Sequence, residues 1–99
     1  MLIRIVRMTF QEDKVEDFIE VFNQSKDLIL NFEGCRHLEL HQDYHQPNIF
    51  ATYSIWQNDA SLDNYRHSEL FEAVWAKTKP LFREKPFAFS NRLYMKVGS

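Results

Sequence analysis

Phe50-Ala51-Thr52-Tyr53-Ser54-Ile55-Trp56 runs straight into Gln57-Asn58-Asp59-Ala60-Ser61-Leu62, and this junction decides the fold. The first run is rich in aromatic and β-branched residues, as a strand prefers. The second opens on Asn58 and Asp59, either of which can cap a short helix through Tyr65. No real loop separates the two. A large indole therefore stands at a strand end, where sheet and helix diverge and a pocket can open.

Upstream, Cys35 to Tyr44 alternates: Leu38 and Leu40 point one way, His37, Glu39, His41 and Asp43 the other. This reads as strand two, joined to strand three (Ile49 to Trp56) by the turn His45-Gln46-Pro47-Asn48. Leu2-Ile3-Arg4-Ile5-Val6-Arg7-Met8-Thr9 reads as strand one. Thr9 and Glu12 have the spacing of a capping box, so helix one is expected to follow at once. Its apolar stripe is Val15, Phe18, Ile19, Phe22 and Ile29, broadened by Val21 and Leu28. Gly34 suits a left-handed C-terminal cap.

Downstream, Ser68 starts a further helix carrying Phe71, Val74, Trp75 and Thr78 at helical spacing. Pro80 ends it, and Pro86 keeps the next segment extended. Phe87 to Val97 is expected as the last strand, with Phe87, Phe89, Leu93, Met95 and Val97 on one face. The mixed segment Lys77-Thr78-Lys79-Pro80-Leu81-Phe82-Arg83-Glu84-Lys85 is either a lid with Phe82 reaching inward or a solvated connection anchored by that Phe.

The order is β-α-β-β-α-β, so the fold class is α+β: a ferredoxin-like, four-stranded antiparallel sheet with helices on one face. The other face would carry Ile3, Ile5, Tyr53 and Ile55. So much apolar surface on a small domain points to burial against a second copy, hence a homodimer.

Bulk numbers bound the function. A chain of 99 residues makes one domain, residues 1–99, with 44% hydrophobic and 26% charged residues, as in ordinary globular proteins. Aromatic content of 15%, with nine Phe, points to a dense core or to surface shared with a partner. A formal charge of -2 provides no field to attract nucleic acid or an acidic membrane. No run approaches membrane-spanning length, no signal-peptide cleavage pattern is present, and the single Cys35 fits a reducing compartment. The expectation is a cytoplasmic protein.

Over its whole length the sequence resembles the antibiotic biosynthesis monooxygenase domain family, the dimeric α+β barrels. The pieces that carry the resemblance are Glu33-Gly34-Cys35 before strand two, Tyr53-Ser54-Ile55-Trp56 closing strand three, and Asn58-Asp59-Ala60-Ser61-Leu62-Asp63-Asn64-Tyr65-Arg66-His67-Ser68-Glu69-Leu70-Phe71. The resemblance implies a closed barrel of two protomers, each with a pocket between sheet and helices. It also implies oxygenation without metal or flavin, in which an electron-rich phenol or quinol gives an electron to oxygen itself. No cofactor is therefore expected, and with Gly34 and Gly98 as its only glycines the chain has no glycine-rich phosphate loop. Trp56 matches the family's strand-end Trp. Where aromatic-polyketide oxygenases carry Asn, this chain has Thr52; where many relatives place a pocket His, it has Tyr65. Haem-degrading members have their axial His where this chain has Trp75, and their strand-one Asn falls near Arg7, so haem degradation is not implied.

The candidate catalytic residues are Tyr65, Thr52 and His67, and Trp56, Phe22, Phe18, Phe71 and Trp75 are expected to shape the pocket. Trp56 either walls that pocket or plugs the core, and Tyr65 either donates into it or meets solvent. His67 is a candidate base, although it lies two residues past the family position, about 200° around a helix. Arg66 either neutralises a substrate anion or lies on the surface, the reading preferred here. His37, Glu39 and His41 share a strand face and are of metal-ligating type. They spread over roughly 13 Å, however, so a polar barrel face is the simpler reading and no metal is assigned. Cys35 reads as a small buried residue without a base partner. The function expected is a cofactor-independent monooxygenase acting on an electron-rich aromatic or quinol. The alternative is a non-catalytic homodimer that binds a hydrophobic metabolite.

Overall fold

A computed structural model describes residues 1–98. Four strands, β1 (Leu2–Thr9), β2 (Cys35–Gln42), β3 (Ile49–Trp56) and β4 (Phe87–Asn91), form one sheet in the order β2-β3-β1-β4, with every neighbouring pair antiparallel. Helices α1 (Val15–Leu30), α2 (Asp59–Arg66) and α3 (Glu69–Thr78) connect them. This is the ferredoxin-like α+β arrangement.

β3 ends at Trp56, and Asn58 caps α2 by accepting a 2.9 Å hydrogen bond from the Ser61 backbone N–H. Ser68 caps α3 likewise, its Oγ accepting from the Phe71 N–H at 3.1 Å. Each cap satisfies a donor that the first helical turn leaves free. α1 follows the stripe through Phe18 and Ile29, and the buried Ser25 extends it. The Ser25 hydroxyl donates to the Val21 carbonyl at 2.8 Å, so a polar residue sits on the packed face without an orphaned group.

Several boundaries differ from expectation, each for a local reason. The capping box at Thr9 does not form: Thr9 remains in β1, and its carbonyl accepts from the Arg83 N–H at 2.9 Å. A 3-10 turn, Glu12–Lys14, intervenes, and α1 begins without a side-chain cap. Gly34 does take the left-handed conformation, at φ 89°, but α1 has already ended on Asn31. The glycine belongs to the turn into β2. Leu28 is exposed rather than packed, and β2 stops at Gln42 where Asp43 binds the turn. β4 ends at Asn91, so Leu93, Met95 and Val97 lie beyond the sheet and are exposed. An alternating pattern alone does not make a strand where no neighbouring ladder remains to pair with.

The β2–β3 turn is stitched by side chains. Asp43 accepts from the backbone N–H groups of His45 and Gln46 and pairs with Arg7, which together hold its carboxyl below the usual range. Asn48 is buried and donates its amide N–H to the Phe10 carbonyl at 2.9 Å.

The face away from the helices carries Ile3, Ile5, Tyr53, Ile55, Phe87 and Phe89, of which Phe87 is 64% exposed. On the helix side the core divides into two clusters. One comprises Met8, Phe10, Phe18 and Phe50; the other comprises Ile29, Trp56, Leu62 and Tyr65. The space between them is the candidate site.

Candidate functional site

A cavity of about 240 Å³ lies between sheet and helices, lined from both clusters. Its floor explains its existence. Successive rows across the helix face of the sheet carry Ser54 and Thr52 on β3, with Ala88 on β4, all small. Trp56 bounds these rows at one end, with Phe50 and Met8 at the other. Small side chains between large ones leave a hollow that the helices roof but do not fill.

The roof is aromatic. Ring contacts run without a break from Trp56 to Tyr65 (4.9 Å, stacked), then to Phe71 (5.3 Å) and Trp75 (5.6 Å). The belt continues through Phe82 (5.5 Å) and Phe10 (5.3 Å) to Phe18 (4.1 Å) and Phe22 (6.2 Å). Much of the chain's high aromatic content is this belt. Offset and edge contacts of this kind add attraction beyond area burial.

Trp56 is 1% exposed and does both things weighed for it, packing the core and walling the cavity. Its indole N–H donates to Ser54 Oγ at 3.0 Å, and that hydroxyl approaches the Arg4 carbonyl at 3.4 Å. The polar handle is therefore satisfied within the sheet, and the ring faces the hollow. Tyr65 is buried beside it, and burial, reinforced by Cys35, pushes its phenol well above the usual value. The phenol stays protonated at physiological pH and can donate. Among the described residues no fully buried side-chain polar atom lacks a partner.

Seven of the expected site residues, Thr52, Trp56, Tyr65, Phe18, Phe22, Phe71 and Trp75, line the one cavity. His67 does not. Its ring is 75% exposed and its Nδ1 lies 2.9 Å from the Asp63 carbonyl, so the helical offset has turned it outward, away from a base's position. Phe82 packs on Phe10 instead of reaching inward, while Pro86 joins the cavity wall. The thiol of Cys35 is pushed up by partial burial, which disfavours the reactive thiolate.

On the open face, His41 Nε2 meets Glu39 Oε1 at 2.7 Å and His37 Nε2 meets Oε2. These contacts hold the Glu39 carboxyl below its usual range. Tyr53 stacks on His41 and meets His37 edge-on. Among the described residues no group of three or more His, Cys, Asp or Glu is arranged to hold a metal ion.

Two charged residues also line the cavity. Arg4 projects from β1 beside Ser54, its Nη1 donating to Ser90 Oγ at 3.1 Å. Arg66, at the last turn of α2, is exposed, in keeping with the surface reading preferred from sequence, and it borders the cavity as well. Alternation along β1 could have placed Arg4 on the helix side with Val6 and Met8, since a charged residue among inward-facing positions is itself a signal.

Compared with known protein families, residues 1–77 match the model for antibiotic biosynthesis monooxygenase (ABM). The chain belongs to the ABM family. Solved structures agree on the ABM fold. A conserved protein from Methanosarcina mazei Go1 is 22% identical, with 93% of this chain and 92% of that one covered at a TM-score of 0.87. An antibiotic biosynthesis monooxygenase superposes at 0.89 with 16% identity, over 96% of this chain and 100% of the other. PA3566 from Pseudomonas aeruginosa superposes at 0.78 with 22% identity, over 97% and 94%. No curated protein matches the ABM chain by sequence. No helix among its described residues is long and apolar enough to cross a membrane.

Proposed function

We propose that this ABM protein is a monooxygenase that oxidises a compact, electron-rich phenol or quinol held in the cavity, without metal or flavin. The observation that carries the reading is the hollow of about 240 Å³, ringed by aromatic side chains and supplied with hydroxyls from Thr52 and Tyr65. An apolar cavity of about 150 Å³ accepts a benzene ring, so this one suits one substituted ring or two fused rings. Thr52 and Tyr65 line the cavity and can each donate a hydrogen bond to a phenolate, and such bonds count most once the bound ring displaces water.

The chemistry asks little more of the protein. The ionised phenol passes one electron to O2, and the radical pair closes a C–O bond at an activated ring carbon. Loss of water from the resulting hydroperoxide leaves a carbonyl. One oxygen atom is kept; the other departs with the ring C–H hydrogen and the proton first lost from the phenol. Oxygen uptake with a panel of quinols and naphthols tests this. Thr52→Val and Tyr65→Phe are each expected to lower kcat/KM, by about 10²-fold where the lost donor faced the oxyanion. Wild-type rates in both variants would remove these residues from the chemistry.

A second reading has its own support. Among the described residues no imidazole or carboxylate lines the cavity. A homodimer that binds a hydrophobic metabolite without turning it over needs no base. Thermal shift with the same panel separates the two, since stabilisation without oxygen uptake favours binding alone.

In either reading the open face pairs with a second copy. The support is the exposed apolar row that includes Phe87 and Phe89, on an edge strand that has one neighbour. Ile5→Glu is expected to shift the sedimentation mass from dimer to monomer; an unchanged mass counts against this face.

A further inference from the structure

Arg4 and Arg66 are the charged residues that line a cavity otherwise built from apolar and hydroxyl side chains. Arg4 comes from the sheet floor, where it is part-buried, and Arg66 from the last turn of α2, where it is exposed while bordering the same cavity. Among the described residues the ion pairs are Arg7–Asp43, His37–Glu39, His41–Glu39 and His67–Asp63. Neither cavity arginine takes part in one. Among the described residues the one side-chain partner of Arg4 is the neutral Ser90 hydroxyl, bound through a single Nη1 donor.

Two like charges facing one hollow with no carboxylate between them are an unfavourable arrangement for the empty protein. The Arg4 guanidinium shows it: partial burial lowers its pKa, and the charge of Arg66 lowers it further. An anion seated between the two groups would relieve both effects. Guanidinium presents a planar fork that matches a carboxylate, and such charge-assisted pairs are the stronger class of hydrogen bond. The remainder of the cavity selects a flat hydrophobic body.

From this juxtaposition we infer that the ligand is an aromatic carboxylate, its rings inside the aromatic belt and its carboxylate held between Arg4 and Arg66. The inference rests on the reading of the cavity as an aromatic-binding site and adds the charged group that orients the guest. Orientation follows because an anchored carboxylate leaves the ring fewer ways to present itself to Thr52 and Tyr65.

Matched probes that differ only in charge test it. Calorimetric titration of the full chain with 1-naphthoate and with neutral 1-naphthamide is expected to show the acid binding about tenfold tighter or more, the worth of a charge-assisted hydrogen bond. Added salt should weaken the acid and leave the amide unchanged. Arg4→Met and Arg66→Met, which keep an apolar stem, should each erase much of the preference while the amide binds as before. Retained amide binding shows that the variants fold. Equal binding of acid and amide by the wild type overturns the anchor alone, and equal loss of both probes in the variants does the same by assigning the arginines a structural role. Binding of neither probe overturns the anchor together with the aromatic-site reading. Tight acid binding together with no oxygen uptake from the quinols and naphthols upholds the anchor and removes only the oxygenase.

Discussion

Replacing Trp56 by alanine is expected to lower the unfolding free energy by about 3–5 kcal/mol, the usual result of emptying a buried Trp site. The expectation rests on three observations: the ring is 1% exposed, it stacks on Tyr65 at 4.9 Å, and it meets Phe32 edge-on at 6.4 Å. Its neighbours cannot collapse into the gap readily, since Trp56 already borders a hollow of about 240 Å³ and truncation would join the two volumes. A domain of this size has about 5–15 kcal/mol in all, so the variant should be marginal at 37 °C. Denaturant titration measures the loss, and a midpoint within a few tenths molar of wild type would show that the indole is not a support. Trp56→Phe separates structure from site. It keeps a stacking ring and gives up the 3.0 Å bond to Ser54 Oγ, which is worth about 1 kcal/mol. That variant should fold, with a roomier cavity that accepts larger probes.

The same residue thus closes one half of a divided core and walls the space between the halves. This follows from its place on β3, where Trp56 pairs with Leu2 on β1 and with Cys35 on β2. At the end of a sheet three strands can hold a large ring on one side while its other side faces the diverging helices. The small residues next along the strand, Ser54 and Thr52, keep the floor beside it low.

Periodicity made most of this visible. The alternation in β2 put Leu38 and Leu40 on the helix side and His37, Glu39 and His41 on the other, where the structure has them. The caps at Asn58 and Ser68 were legible because capping is local chemistry. What failed was non-local. Thr9 and Glu12 have the right spacing for a capping box, yet the β1 ladder and the Arg83 N–H claimed the Thr9 backbone. The alternation from Leu93 to Val97 had no second strand to pair with. At the site, the aromatic residues singled out from sequence line the cavity, whereas α2 alone does not reveal that Arg66, exposed as read, also borders it. Arg4 escaped notice for a related reason: two apolar positions beside it made strand one look like plain core.

The turn that sets α2 over the sheet is the second place where one substitution should matter greatly. Gly34 has φ 89°, its carbonyl accepts from the Gln57 N–H at 2.8 Å, and a Cβ built on it would lie 2.3 Å from Ser61 Oγ and 2.4 Å from Ser61 Cβ. Rotating the serine hydroxyl cannot relieve the second contact, because its Cβ is fixed to the helix backbone. Gly34→Ala is therefore expected to cost about 1–2 kcal/mol for the left-handed conformation and about 1–3 kcal/mol for overpacking. The two parts can be told apart. Ser61→Gly alone should cost about 1 kcal/mol, for a glycine within a helix. In the double variant Gly34→Ala/Ser61→Gly the overpacking cost should vanish while the conformational cost remains, giving a favourable coupling of about 0.5–3 kcal/mol. Additive free energies would mean that the strain lies in the turn alone. Because Tyr65 and Arg66 both ride on α2, a helix pushed off Gly34 should also weaken aromatic binding in the single variant, and restored binding in the double variant would tie that close contact to the shape of the cavity.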